Sequence, residues 1–98
     1  MIVARFKVQC RPGHTEEIAA ARAAVETPSR LLSGVVHFDV ARSLNDPNVL
    51  LAFEVFADRD AFERQNAQAE VARVLSFVEV GALIGRPEFT VWETPGAD

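Results

Sequence analysis

The chain has 98 residues, 49% of them hydrophobic and 24% charged, with a formal net charge of −4. This length suits one domain and this balance suits a folded protein, whereas the negative charge argues against binding to a nucleic-acid backbone. The single cysteine, Cys10, excludes an intramolecular disulfide, and no Cys/His cluster has zinc-ligand spacing. Nothing approaches the ~18 apolar residues of a membrane span or the apolar block of a signal peptide, so we expect a soluble, cytoplasmic protein.

The first two predicted elements are a strand and a helix. Apolar residues alternate with others from Ile2 to Cys10, which is the period of a half-buried strand. After a break at Arg11-Pro12-Gly13, Thr15 predicts a helix N-cap, and an alanine-rich helix follows to about Thr27. We expect Pro28 to end that helix because proline lacks the backbone N–H.

A β-hairpin is predicted next along the chain. The stretches 35–42 and 49–56 both read as strands, and the residues from Leu44 to Asn48 between them have turn chemistry. The second stretch is almost entirely apolar apart from Glu54, a pattern that favours a strand covered on both faces.

The last predicted elements are a helical region over residues 59–80, capped by Asp58, and a strand over 88–93, with 94–98 as a C-terminal tail. The helical region carries two apolar stripes on nearly opposite sides, one around Phe62 and one around Val74. One straight helix cannot bury both, so we expect a break near Ala69 or Glu70.

The order β-α-β-β-α-β predicts an α+β protein of the ferredoxin-like class, with residues 1–98 as a single domain. In that class a four-stranded antiparallel sheet carries its helices on one face only. We assign five apolar residues to the other face, and their exposure predicts a homodimer that buries them: Val35, Leu50, Ala52, Phe56 and Trp92.

Two amides in the second helical region are candidate binding groups. Gln65 and Asn66 share the inward stripe with Phe62, where packing alone would favour apolar side chains. Buried amides need hydrogen-bond partners, which a bound ligand would supply. The alternative is that both lie at the edge of the stripe and reach solvent or backbone.

His37 is the candidate base, and it shares one face of its strand with Asp39. We place Arg5, Lys7 and Glu54 on the same side of the sheet, away from the helices. A histidine held by a carboxylate can act as a general base. The alternative is a cross-strand or intersubunit ladder of salt bridges that sets the dimer register. The sequence contains no glycine-rich phosphate loop, G-x-S-x-G elbow or H-E-x-x-H pair.

Three segments together resemble the antibiotic biosynthesis monooxygenase family of dimeric α+β barrel proteins. They are the strand followed by Arg11-Pro12-Gly13 and an Ala/Glu-rich helix, the turn Asn45-Asp46-Pro47-Asn48 leading into residues 51–56, and Asp58-Arg59-Asp60-Ala61-Phe62 opening the next helix. The resemblance covers nearly the whole chain. Gln65 stands where many relatives carry a histidine.

The resemblance implies a homodimer with a pocket between sheet and helices in each subunit. It also implies oxygenation of a small phenol- or quinol-type aromatic with O2, without metal, flavin or haem cofactor. Gln65 and Asn66 would orient the substrate, and His37 would be the base if it faces the cavity. The apolar lining would come from four phenylalanines: Phe6, Phe38, Phe53 and Phe62. The alternatives are a non-catalytic module that binds a small apolar molecule or serves in stress, and an isomerase or decarboxylase of the same superfamily.

Overall fold

The computed structural model describes residues 1–95, which form four strands and three helices. In chain order these are β1 (Ile2–Gln9), α1 (Thr15–Arg30), β2 (Val35–Arg42), β3 (Val49–Phe56), α2 (Arg59–Asn66), α3 (Ala69–Glu79) and β4 (Glu88–Glu93). This order confirms the predicted ferredoxin-like arrangement, with the second helical region divided into α2 and α3. Residues 96–98 of the predicted tail lie outside the described residues.

The four strands form one antiparallel sheet in the order β2-β3-β1-β4. The predicted hairpin is confirmed, since β2 and β3 pair directly. The Asp46 side chain helps to form its turn, because Asp46 Oδ1 accepts a hydrogen bond of 2.9 Å from the Asn48 N–H. The edge contact between β1 and β4 extends one residue into the predicted tail, because the Thr94 N–H donates to the Met1 carbonyl at 2.8 Å.

The alternation in β1 decides which side of the sheet faces the helices. Ile2, Ala4 and Val8 are buried against them. Residues directly opposite one another in an antiparallel pair lie on the same face, and β3 residues Phe56, Glu54 and Leu50 stand opposite those three. All these side chains therefore belong to the helix face of the sheet.

The prediction of which residues form the uncovered face was therefore wrong for most of them. Leu50, Ala52 and Phe56 are core residues of the helix face, and Val35 packs against the same core. Only Trp92, which stands opposite Val3, is on the uncovered side. The physical reason is that β3 is apolar at both parities, so its own sequence does not indicate which set turns inward.

The side of the sheet away from the helices, here called the open face, nevertheless carries apolar side chains. They belong to the parity opposite to the expected one: Val3, Leu51, Phe53, Val55 and Trp92. Phe53 is 48% exposed and Trp92 47% exposed. In the single chain, β3 is thus fully covered on one face only, contrary to the prediction of cover on both.

Helix α1 extends further than predicted. His14 is its N-cap and Thr15 its first residue, with the Thr15 hydroxyl donating to Asn48 Oδ1 at 2.7 Å. The helix continues through Pro28 to Arg30. Proline falls in the last turn, where only one backbone hydrogen bond is lost, and Arg30 Nε anchors that turn by donating to the Phe38 carbonyl at 3.0 Å.

The predicted break in the second helical region is confirmed, and it lies at Ala67 and Gln68, slightly before the expected position. Asp58 caps α2 as predicted, since its Oδ1 accepts from the Ala61 N–H at 2.9 Å. Gln68 has an extended backbone and is the N-cap residue of α3. Within residues 1–95 no helix has the length and apolar character needed to cross a bilayer.

Candidate functional site

A cavity of about 480 Å³ lies between the helix face of the sheet and the three helices. Its wall is mainly apolar, and we call it the helix-side cavity. Every layer of the fold contributes to its lining: Phe6, Arg22, Glu54, Gln65, Asn66, Val71, Val74, Leu75, Arg86, Pro87 and Phe89. A few polar groups within a largely apolar hollow are the usual composition of a small-molecule site.

Glu54 is the acidic group of this cavity. It lies on the helix face in the middle of β3, and only 4% of the residue is exposed. Burial raises the pKa of this carboxyl from 4.5 to about 7, because removal from water disfavours the charged form. The nearby positive charge of Arg22 opposes this pKa shift without cancelling it. Glu54 can therefore accept and release a proton near neutral pH.

Arg22 is the basic group next to it. It is on the buried stripe of α1 and is 5% exposed, with its guanidinium carbon 4.5 Å from the centre of the Phe6 ring. This stacking is a cation–π contact. Burial lowers the pKa of Arg22, yet the group keeps its charge at neutral pH. Its Nη2 atom is buried and has no hydrogen-bond partner among the described residues.

A chain of hydrogen bonds holds Gln65 from behind. Gln65 Nε2 donates to Ser29 Oγ at 3.2 Å, and the Ser29 hydroxyl donates to Gln68 Oε1 at 2.9 Å. Gln65 is 3% exposed, and its carbonyl oxygen Oε1 has no partner among the described residues. These hydrogen bonds connect α1, α2 and the break before α3.

Three of the expected binding residues line the helix-side cavity: Phe6, Gln65 and Asn66. Phe62 is one layer deeper, where it stacks on the lining residue Phe89 with ring centres 6.2 Å apart. Phe38 is buried in the core and does not line this cavity. Phe53 is on the open face, so its expected place in the lining was wrong.

His37 is also remote from the helix-side cavity. It lies on the open face, where it packs edge-on against Phe53, and it contributes to a shallow hollow of about 290 Å³ at the β2 edge of the sheet. Its Nε2 is 2.8 Å from Asp39 Oδ2, and Asp39 Oδ1 accepts from Arg30 at 2.6 Å. The condition on which the base role of His37 depended, that it faces the cavity, is not met.

The expected polar network is present in part. Arg5, Lys7, His37 and Asp39 share the open face, and Lys7 Nζ is 3.8 Å from Glu88 Oε2 of β4. Glu54 is on the opposite side of the sheet, so its assignment to this network was wrong.

Sequence reasoning missed the acid–base pair of the cavity, although both residues left a signal. Arg22 falls on the stripe of α1 that also contains Ile18, Ala21 and Val25, where a charge is unexpected. Glu54 is the one charged residue in an apolar strand. Either charge, placed on an inward face, indicates a buried ionisable group.

The described residues contain no group of three or more His, Cys, Asp or Glu side chains arranged to hold a metal ion. The one cysteine, Cys10, is buried at the end of β1, and burial raises the pKa of its thiol. It is not a lining residue of the helix-side cavity.

Solved structures with this fold include three bacterial proteins. A candidate antibiotic biosynthesis monooxygenase from Deinococcus radiodurans is 15% identical, with a TM-score of 0.85 over 100% of this chain and 96% of that one. Another candidate of the same kind, from Nitrosomonas europaea, is 17% identical, with a TM-score of 0.85 over 96% of this chain and 98% of that one. A protein from Mycobacterium tuberculosis is 20% identical, with a TM-score of 0.84 over 98% of this chain and 96% of that one. At these identities the likeness shows the fold.

No curated protein matches the sequence significantly. The sequence profile of one family, "Antibiotic biosynthesis monooxygenase", matches residues 1–75. This range includes Arg22, Glu54 and Gln65, and it ends before the cavity residues that precede and form β4. Because the match spans well over half of the 98 residues, the chain belongs to the antibiotic biosynthesis monooxygenase family.

Proposed function

We propose that this protein is a cofactor-independent monooxygenase that oxidises a small phenol- or quinol-type aromatic with O2 in the helix-side cavity. The observation that carries the proposal is the Glu54 carboxyl, with its pKa raised to about 7 in a mainly apolar cavity next to Arg22. Membership of the monooxygenase family supports the choice of reaction. The base is Glu54, in place of His37.

The first step assigns a role to each charged group. Glu54 accepts the proton of the substrate hydroxyl, and the best general bases have a pKa near the working pH. The charge that develops on the substrate oxygen is attracted by the Arg22 guanidinium, whose effect is strengthened because Arg22 is almost fully buried. Deprotonation makes the ring electron-rich enough to react with O2.

The electrons of the reaction come from the substrate. When a hydroquinone reacts with O2, one oxygen atom replaces a ring hydrogen as a hydroxyl group and the ring is oxidised to the quinone level. The second oxygen atom leaves as water, so that one hydroquinone and one dioxygen give one hydroxyquinone and one water. The mainly apolar lining reduces the contact of the reactive anion with water, and the cavity opens to solvent at the half-exposed residues Leu75 and Phe89.

The protein is further proposed to be a homodimer that joins two open faces. The exposed rings of Phe53 and Trp92 support this, since burying them would remove apolar surface from water. A cytoplasmic location completes the proposal and agrees with a buried, unpaired Cys10.

Oxygen consumption with a panel of hydroquinones and naphthols tests the proposed reaction. Glu54→Gln keeps the size of the side chain and removes the proton acceptor, so the rate is expected to fall by about 10² or more. Glu63→Gln on the exposed side of α2 is the matched control and should leave the rate unchanged. Full activity in Glu54→Gln would contradict the proposal.

Arg22 gives the same experiment a second readout. Because its charge lowers the pKa of Glu54, Arg22→Met should move the lower limb of the pH–rate profile to higher pH. A profile that does not move would mean that Glu54 is not the titrating base.

The buried Glu54 also suits acid–base chemistry that does not consume oxygen, which keeps an isomerase or decarboxylase as the second candidate. Conversion of a ligand at the same rate under anaerobic conditions would favour this class. Thermal stabilisation by ligands without any conversion would indicate a non-catalytic binding module.

A further inference from the structure

We propose that Ser29 and Gln68 orient the amide of Gln65 so that the helix-side cavity selects ligands that donate a hydrogen bond over ligands of the same shape that can only accept one. The preferred class is a ring with a hydroxyl or amino group. The proposal deepens the proposed function and rests on it for the aromatic nature of the ligand.

The first step is a count of protons on Ser29. The hydroxyl has one proton, and this proton is donated to Gln68 Oε1 at 2.9 Å. Ser29 Oγ can then only accept from Gln65, at 3.2 Å, so the NH2 group of Gln65 must face Ser29. The carbonyl oxygen Oε1 is the polar atom that remains for a ligand.

The second step concerns that oxygen. Gln65 lines the cavity and is 97% buried, given an exposed fraction of 3%, and Oε1 has no partner among the described residues. A buried acceptor without a partner is costly, and a ligand hydroxyl or N–H supplies the missing donor. A ligand that can only accept leaves the oxygen unpaired.

The third step compares the reversed orientation. It requires the amides of Gln65 and Gln68 to turn together, because otherwise Ser29 would have to donate to both. Reversal would put the NH2 group of Gln65 where Oε1 now lies, and that group would then need an acceptor there. Unpaired buried N–H groups are rarer in proteins than carbonyl oxygens with too few partners. The geometry therefore favours the acceptor orientation.

This selectivity separates substrate from product in the proposed reaction. A hydroquinone has two hydroxyl groups that can donate to Gln65 Oε1, whereas the hydroxyquinone product has carbonyl oxygens, which only accept, at those two positions and a single hydroxyl group at a new one. The cavity is therefore expected to hold the reduced ring and to release the oxidised one.

Binding of 1-naphthol, which can donate, and of 1-methoxynaphthalene, which can only accept, is measured by fluorescence titration without turnover and tests the inference. The two ligands differ by one methyl group, and the ratio of their affinities is compared between variants so that their differences in size and hydrophobicity cancel. In Ser29→Ala the amide of Gln65 is free to turn, so the preference for naphthol should fall by about tenfold or more relative to wild type.

Two substitutions at Gln68, which is only half-buried, separate orientation from packing. Gln68→Glu can only accept at its carboxylate, so it keeps the Ser29 proton in place and should retain the wild-type preference. Gln68→Met has a similar shape and no acceptor, so it should lower the preference as Ser29→Ala does. Loss of the preference in Gln68→Glu, or an unchanged preference in Gln68→Met, would overturn the inference.

Failure of this inference and failure of the proposed function give different experimental results. Oxygen consumption that depends on Glu54, together with equal binding ratios in all variants, would refute the orientation of Gln65 alone. A selective cavity that consumes no oxygen would refute the monooxygenase proposal alone. Preference of the wild-type cavity for 1,4-naphthoquinone over 1,4-dihydroxynaphthalene would contradict the inference directly.

Discussion

Glu54 and Arg22 are two oppositely charged residues, each almost fully buried, in the wall of one cavity. A buried carboxylate is stabilising only when nearby charges and hydrogen bonds replace the water it has lost. The pKa of about 7 shows that Arg22 does not fully replace that water for Glu54. The protein thus sacrifices some stability to keep a proton acceptor in the cavity.

This arrangement predicts how stability depends on pH. The pKa of Glu54 is about 7 in the folded state against 4.5 for the unfolded chain, so between these values the folded state binds more protons. The free energy of unfolding should therefore fall as pH rises from 5 to 8, by about 2 to 3 kcal/mol for a shift of this size. Thermal unfolding should show a Tm roughly 10–20 °C lower at pH 8 than at pH 5.

Glu54→Gln is the control for this pH dependence, because glutamine has no proton to lose. The variant should have nearly the same Tm at pH 5 and pH 8, and at pH 8 it should be more stable than wild type. A wild-type Tm that rises from pH 5 to pH 8 would contradict the assignment of the raised pKa to Glu54.

At the level of single residues, the sequence allowed the amides Gln65 and Asn66 and the ring of Phe6 to be placed in the cavity. It did not allow the base to be placed, because histidine is the usual titrating group near pH 7 and a glutamate matches it only after burial. The burial of Glu54 depends on which face of β3 turns inward. That choice comes from the pairing of β3 with β1 and is not contained in the β3 sequence.

At the level of elements, the order of strands and helices and the break between α2 and α3 were predictable from hydrophobic periods. The break followed from two stripes that one helix cannot bury, and the structure buries Phe62 on α2 and Val74 on α3. The end of α1 was not predictable from Pro28 alone. The contacts of Ser29 and Arg30 with other elements decide where that helix ends.

Gly34, in the turn between α1 and β2, controls how closely α2 approaches. Its φ is +84°, and an added Cβ would lie 2.7 Å from the Cβ of Ala61 in the first turn of α2. Gly34→Ala should therefore lower the free energy of unfolding by about 3 kcal/mol, through backbone strain plus overpacking. Denaturation in urea measures this change.

Gly81→Ala is the matched control for Gly34→Ala. Gly81 has φ of +71°, but no atom lies within 4 Å of the Cβ that would be added. Only the strain of the left-handed backbone remains, so the expected loss is about 1 kcal/mol. Equal losses in the two variants would mean that the approach of Ala61 to Gly34 is not tight.

At the scale of the whole molecule, the helix face is covered over β1 and β3 but not at β4, where Phe89 is 49% exposed, and the open face is uncovered. Helices cover one side of the sheet, where the cavity lies, and Phe53 and Trp92 remain about half exposed on the other. The prediction of an uncovered apolar face came from the class of fold and not from a particular residue. It therefore remained valid although four of the five residues assigned to that face were wrong.

The proposed homodimer predicts that the wild-type protein sediments at twice the 10.8 kDa mass of one chain. Phe53→Lys places a charge in the middle of the open face and should weaken association by at least about tenfold, since a buried unpaired charge is costly. Leu44→Lys, in the exposed turn before β3, is the matched control and should leave the dimer intact.

The same variants tell whether the cavity depends on association. The helix-side cavity is formed by residues of one chain, so a monomeric Phe53→Lys protein should still bind 1-naphthol with an affinity within about threefold of wild type, because no lining residue has changed. Wild-type protein that sediments as a single chain at micromolar concentration would refute the dimer. Binding of naphthol by that single chain would leave the cavity, Glu54 and the proposed chemistry unaffected.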